Sequence, residues 1–396
     1  MGGNGTVVAG FVINASTLDD FEAVTSVTID TSGLAPIAAE SLTVGTFSVY
    51  AIGTSPLPVA PDDVFYREYD LDREVTAARL DADGNIVLDL HHGVDELGCA
   101  SLGFIGSKGM VRLDLAYTIT QNSPLAGPDG EPLTITRFEP GPLVNTEVDA
   151  FSHHVSDAGV KYRLFAPAAG TGLGPRPLVV WLHGGGEGGH PSDGYYDNET
   201  QLRGTRGALG FITPEAQRIF DGAYVLAPQC VSNWLDDGPL FATQVYDIVQ
   251  DLLGRLPIDG RRIYVAGGSS GAYLTLEMVT RYPDLFAAAV PCSCIIQENP
   301  RHRGPGSGPR LVPDDALTKI STPTWLIVSS DDTIVDPLAN SVHAHKLIPG
   351  SRISAYEHVI WNDFTLPGHW SWIYLSYNDP AVDGTRVWQW MAEQRR

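Results

Sequence analysis

Basic residues are scarce in this chain: 25 Lys and Arg stand against 47 Asp and Glu, for a formal charge of −22. Nucleic-acid binding needs a basic face to neutralise phosphates, so the composition argues against that partner. Solubility accounts for the acidic surplus more simply than steering of a cationic substrate does. Long apolar runs are missing as well. Nothing approaches the ~18–20 residues of a spanning helix, so no membrane span is expected. The opening Met1-Gly2-Gly3-Asn4-Gly5 lacks the basic and apolar regions of an export leader. Few lysines and a β-rich front favour a secreted or extracytoplasmic protein whose leader lies outside this sequence, with a cytoplasmic location as the alternative.

Cysteine is equally sparse: Cys99, Cys230, Cys292 and Cys294 are the four present. No Cys/His set has zinc-site spacing, and His91-His92 has no third ligand nearby, so neither a metal nor another cofactor is expected. Cys230 follows one apolar run, and Cys292 and Cys294 follow another. A bridge from Cys230 to either is open in an oxidising compartment, with buried free thiols as the other reading.

What is present divides the chain in two. Up to residue 122, short alternating runs recur: Val24–Ile29, Thr46–Tyr50, Val75–Leu80, Asn85–Leu88 and Met110–Tyr117. The turn Asp81-Ala82-Asp83-Gly84 between the third and fourth is a hairpin signal. Such spacing predicts an all-β, immunoglobulin-like sandwich domain over 1–122. Residues 123–146 are rich in Pro and Gly and read as a linker or connection.

From 147 to 396 strands alternate with helices. Pro177–Leu182, Ala223–Ala227, Ile263–Ala266, Ala287–Val290 and Thr324–Val328 are short apolar runs suited to strands buried on both faces. Helices are expected over Ala242–Leu256 and Gly271–Tyr282. The pattern predicts an α/β, doubly wound parallel sheet.

Four segments carry chemistry. Gly267-Gly268-Ser269-Ser270-Gly271 is a G-x-S-x-G match between a strand and a helix. A nucleophile held on so sharp a turn needs flanking glycines where strand and helix backbones approach. Centring the motif on Ser270 would put Ala272 where the second glycine belongs, so Ser269 is the nucleophile. The N–H of Ser270 then becomes an oxyanion donor at a helix N-terminus. His183-Gly184-Gly185-Gly186 follows an apolar strand and offers the N–H groups of Gly185 and Gly186 to the same oxyanion. The same stretch spells G-x-G-x-x-G, but it runs into loop residues and no acid ends a strand ~20 residues on, as a dinucleotide site requires. His183 itself takes a structural role in the loop.

Asp332, in Asp332-Thr333-Ile334-Val335 after the strand Trp325–Val328, is the expected triad acid, with Asp331 and Asp336 as runners-up. His369, in Gly368-His369-Trp370-Ser371-Trp372, is the expected general base, ahead of His358 in the run Ala355–Val359. Serine, then acid, then histidine is the chain order of the α/β-hydrolase triad.

On these motifs, with Leu226-Ala227-Pro228-Gln229 and Arg262–Gly271, the chain from about residue 145 resembles the polyhydroxybutyrate-depolymerase and feruloyl-esterase-like branch of α/β-hydrolases. With the β domain in front it is similar to two-domain bacterial EstA-type esterases. The resemblance implies hydrolysis of short-chain or aryl carboxylic esters, with polyesters and plant-wall feruloyl or acetyl esters included. Larger residues usually flank the family's nucleophile, so Gly268 and Ser270 imply a looser elbow or a larger pocket. Trp234 and Trp370 are candidate pocket walls, with plain core as the bland reading. A serine peptidase and a non-catalytic surface-binding protein are the alternatives, and the front domain is a candidate for homo-oligomer contacts.

Overall fold

Alternation of apolar and polar side chains does fold the first part of the chain into strands. The computed structural model describes every residue except 1–6, 95, 128, 169–173 and 299–307. It divides into Met1–Asp149 and Ala150–Arg396. In the first unit a five-stranded sheet and two three-stranded sheets form. Phe11, Val27 and Leu88 from the larger sheet join Phe47, Val49 and Ile119 from another in one buried core. The hairpin turn falls as expected, with Val75–Leu80 pairing antiparallel to Ile86–Leu90 and Gly84 at φ 86°. Met110–Tyr117 does not form one strand. It breaks at Leu113, and its halves Gly109–Arg112 and Asp114–Gln121 join different sheets.

The segment 123–146, expected as a connection, belongs to the first unit. Within it Arg137–Val144 pairs in parallel with Val8–Thr17 at the edge of the five-stranded sheet. None of its eight side chains is fully buried, so it shows no apolar alternation. Pro140 and Pro142 are tolerated because an edge strand can dispense with ladder donors. A Cβ on Gly141 would lie 2.6 Å from the Phe11 carbonyl, which keeps that position a glycine.

The second unit is built on eight strands: β1 (Phe151–Val155), β2 (Lys161–Phe165), β3 (Arg176–Leu182), β4 (Tyr224–Pro228), β5 (Ile258–Gly268), β6 (Ala288–Cys292), β7 (Trp325–Ser329) and β8 (Arg352–Tyr356). Their order is β1-β2-β4-β3-β5-β6-β7-β8. β2 runs antiparallel to both neighbours, and β3 to β8 are mutually parallel. Every residue of β3, β4, β6 and β7 is buried, as a sheet covered on both faces requires.

Helix α1 (Gly238–Arg255) begins four residues before the apolar periodicity does, because Asp237 accepts the Leu240 N–H and Pro239 occupies the first turn. Helix α2 (Ser270–Arg281) follows β5 directly. Parallel strands end at one edge of the sheet, so the loops after β3, β5 and β7 gather there.

Candidate active site

Backbone crowding dictates the turn after β5. Ser269 sits at φ 56°, ψ −117°, a conformation rarely adopted by side-chain-bearing residues. Its N–H donates to the Cys292 carbonyl at 2.9 Å, and its own carbonyl accepts from Ala272 and Tyr273. A Cβ on Gly267 would fall 2.5 Å from the Gly271 carbonyl oxygen, and one on Gly271 would fall 2.0 Å from that of Leu182. Those two glycines are where strand and helix touch. Gly268 has a different reason. A Cβ there would lie 2.8 Å from Trp372, so the space is filled by that indole rather than added to a pocket.

Ser269 Oγ lies 2.8 Å from His369 Nε2. His369 Nδ1 lies 2.8 Å from Asp332 Oδ2. The other Asp332 oxygen accepts the N–H groups of Ile334 and Val335, each at 2.9 Å. With its side chain fully enclosed, Asp332 can aim only at the imidazole. The runners-up are engaged elsewhere: Asp331 binds His358 Nδ1 at 2.8 Å, and Asp336 accepts from Leu338 and Ala339 in its own turn. His358 is thereby turned to Asp331, in a half-exposed pair that raises its pKa.

The glycine loop after β3 abuts the serine turn. A Cβ on Gly184 would be 3.8 Å from Ser269 Cβ, and one on Gly185 would be 3.5 Å from Ser270 Oγ. Among the described residues, the N–H groups of Gly185, Gly186 and Ser270 donate to no protein acceptor. The loop is anchored from below by His183, whose Nδ1 donates to the Gly184 carbonyl at 2.6 Å while Nε2 accepts the Cys230 N–H at 2.9 Å. Two such bonds select the neutral ring, and complete burial lowers its pKa to about 4.

Trp234 is corrected by the structure. It is 1% exposed, donates its Nε1 proton to the His183 carbonyl at 3.0 Å and packs edge-on to Phe241, so it belongs to the core under the loop. Trp370 remains half-buried beside His369. Trp372, not singled out from the sequence, meets the His369 ring edge-to-face at 5.4 Å. Its position in the same His-Trp-Ser-Trp run was the available signal. All four cysteines are buried and free, so the bridge from Cys230 is not formed.

Glu187 lies in the same glycine loop and carries no signal of its own in the sequence. It is 3% exposed, its Oε1 has no hydrogen-bond partner, and burial pushes its pKa up to about 8. In the unfolded chain it ionises near pH ~4.3. Between those values the folded state holds the extra proton, so this group's contribution to stability falls as pH rises from the lower value to the upper. Glu187→Gln is expected to remove a penalty on the order of 4 kcal/mol at pH 8. Thermal unfolding of both proteins from pH 5 to 8.5 checks this. The midpoint gap should widen with pH, and parallel curves would contradict it.

Residues 160–302 match the family model described as Esterase PHB depolymerase. Poly(3-hydroxyalkanoate) depolymerase C of Paucimonas lemoignei is 35% identical over 128 residues, which span 29% of this chain and 27% of that protein. The crystal structure of a thermostable esterase superimposes with a TM-score of 0.74 at 25% identity, covering 98% of this chain and 99% of that one. The Ala150–Arg396 unit has an α/β-hydrolase fold. The chain as a whole is similar to that thermostable esterase over nearly its full length, strand-rich front unit included.

Proposed function

We propose that this protein hydrolyses short-chain or aryl carboxylic esters through an acyl-enzyme on Ser269. The observation that carries the reading is the continuous hydrogen-bond path from Ser269 through His369 to Asp332, with both links at 2.8 Å. In this scheme His369 Nε2 takes the hydroxyl proton as Ser269 Oγ attacks the ester carbonyl. Asp332 holds the ring so that Nε2 faces the serine, and offsets the imidazolium charge. The N–H groups of Gly185, Gly186 and Ser270 receive the oxyanion. His369 then returns the proton to the leaving alkoxide. A water deprotonated by the same ring releases the acid and restores Ser269.

Polyesters of 3-hydroxy acids enter this proposal through the relative named above, and feruloyl or acetyl esters through the resemblance in the motifs. An exported location belongs to the same reading, on the scarcity of lysine and the β-rich front unit. Turnover of p-nitrophenyl acetate and butyrate is expected, with little on aminoacyl nitroanilides. A fluorophosphonate probe should label the wild type and not Ser269→Ala. Peptide turnover without ester turnover would overturn the esterase reading, and persistent labelling of the variant would displace Ser269.

A further inference from the structure

Glu187 is an enclosed carboxyl that the acyl-transfer scheme does not use. It closes the short 3-10 turn Gly185–Glu187, which carries two of the proposed oxyanion donors. Its Oε2 lies 2.9 Å from the position a Cβ would take on Gly184, and Ser269 Cβ lies 3.8 Å from that same point. The carboxyl oxygen is therefore no more than about 7 Å from the carbon that bears the serine hydroxyl, a range over which a buried charge acts strongly. The backbone of the turn is held from another side, where the Glu187 carbonyl accepts the Gln229 amide at 3.1 Å.

No counter-charge meets this carboxyl. Among the described residues, the basic group in ion-pair range is His183 Nδ1 at 4.0 Å, and its bonds to Gly184 and Cys230 keep that ring neutral. The Gly184 N–H and the Thr205 hydroxyl face the carboxyl, and burial outweighs both. On the segment that carries Thr205, Arg203 pairs with Glu199 at 2.7 Å and Arg206 lies 5.9 Å over the Tyr377 ring. Asp197 accepts from Thr200 and Gln229, and His190 stacks on Tyr195. Beyond Gln229, burial pushes the pKa of the Cys230 thiol up to about 12. On the side of Ser269, His369 and Asp332 bind each other. An enclosed carboxylate without a partner is costly, so the acid keeps its proton at neutral pH.

We infer that Glu187 serves the acyl transfer as a neutral acid: protonated, it packs against Gly184 and leaves the oxyanion donors unopposed, and ionised, it repels the negative charge that forms on the substrate. This rests on the proposed acyl transfer at Ser269. Glu187 acts across the turn and not by contact with the ester, so it is a positioning residue. The tetrahedral intermediate carries the charge and the bound ester does not, so the effect falls on kcat rather than on KM.

The test is the pH profile of kcat on p-nitrophenyl butyrate from pH 6.5 to 9.5, with circular dichroism at each pH to hold the comparison to folded protein. Wild type should lose about 10-fold or more as pH rises through about 8, where burial sets the Glu187 pKa. Glu187→Gln keeps the shape and stays neutral. It should match wild type within about 3-fold at pH 6.5 and hold its kcat to pH 9.5. Glu187→Met, neutral and of similar length, should also lack the alkaline fall, and it carries the test if the amide variant folds poorly. Glu215→Gln removes an exposed carboxyl and should keep the wild-type profile. Phenylboronic acid forms an anionic tetrahedral adduct on a reactive serine. Its affinity for Glu187→Gln relative to wild type should therefore rise about 10-fold over the same pH range. The inference is overturned if wild-type kcat stays level to pH 9.5, if a folded Glu187 variant shows the wild-type fall, or if the boronate ratio stays flat. Ester turnover that survives Ser269→Ala would instead remove the proposed function itself.

Discussion

Ser269→Ala and His369→Ala are each expected to lower kcat on p-nitrophenyl butyrate by about 10⁴–10⁶-fold, and the double variant by no more than either alone. The non-additivity follows from the geometry. Ser269 Oγ reaches a proton acceptor only through His369 Nε2, and that nitrogen has no other partner in the site. Once either member is lost, the other has nothing to do. Asp332→Asn should cost about 10⁴-fold while leaving the fold intact, because an amide can donate to Nδ1 and turn the ring to the wrong tautomer. His358→Ala provides the contrast. Its ring pairs with Asp331 in a half-exposed site, so its removal should change kcat by less than about 2-fold. Steady-state assays of the five variants separate these outcomes. Multiplying losses in the double variant, or a large loss in His358→Ala, would mean that a different base serves Ser269.

The residues of the proposed triad could be picked out of the sequence because their constraints are local. A serine at φ 56° between a strand and a helix needs glycines two positions either side, and both appear within five letters. Asp332 could be preferred to its neighbours because Asp332-Thr333-Ile334-Val335 follows the late strand Trp325–Val328 in the register where this fold places a triad acid. The doubly wound sheet was legible for a similar reason, since strands buried on both faces are short apolar runs.

What the sequence concealed depends on partners far along the chain. The room beside Gly268 looks empty until Trp372 is folded against it. Trp234 reads as a pocket wall until its indole N–H is found on His183, 51 residues away. Arg137–Val144 carries Pro-Gly-Pro and no apolar alternation, and becomes a strand only by pairing with Val8–Thr17 at the opposite end of the unit. Glu187 stands in a run of glycines that reads as loop, and only the packed structure shows that its carboxyl is enclosed.

Gly271→Ala is the substitution expected to damage the fold most. The added methyl would sit 2.0 Å from the Leu182 carbonyl oxygen and 2.4 Å from that of His183. Both are backbone atoms at the end of β3, so no side-chain rotation relieves the overlap. Relief requires α2 to move off the sheet, or β3 to part from β5, where Leu182 and Gly267 are register partners. Either movement disturbs buried, interdigitated packing, which places the cost at about 4 kcal/mol or more. For a unit of this size that is a fall in the unfolding midpoint of roughly 10 °C. The same movement displaces the glycine loop from Ser269, so protein that still folds should lose about 100-fold or more in kcat. Gly254→Ala is the matching control. It lies near the end of α1 with nothing within 4 Å of the new methyl, so the same change there should stabilise by about 0.5–1 kcal/mol. Thermal unfolding and ester turnover measured on both variants test the argument. A Gly271→Ala protein that melts within about 2 °C of wild type would show that strand and helix do not meet at this glycine.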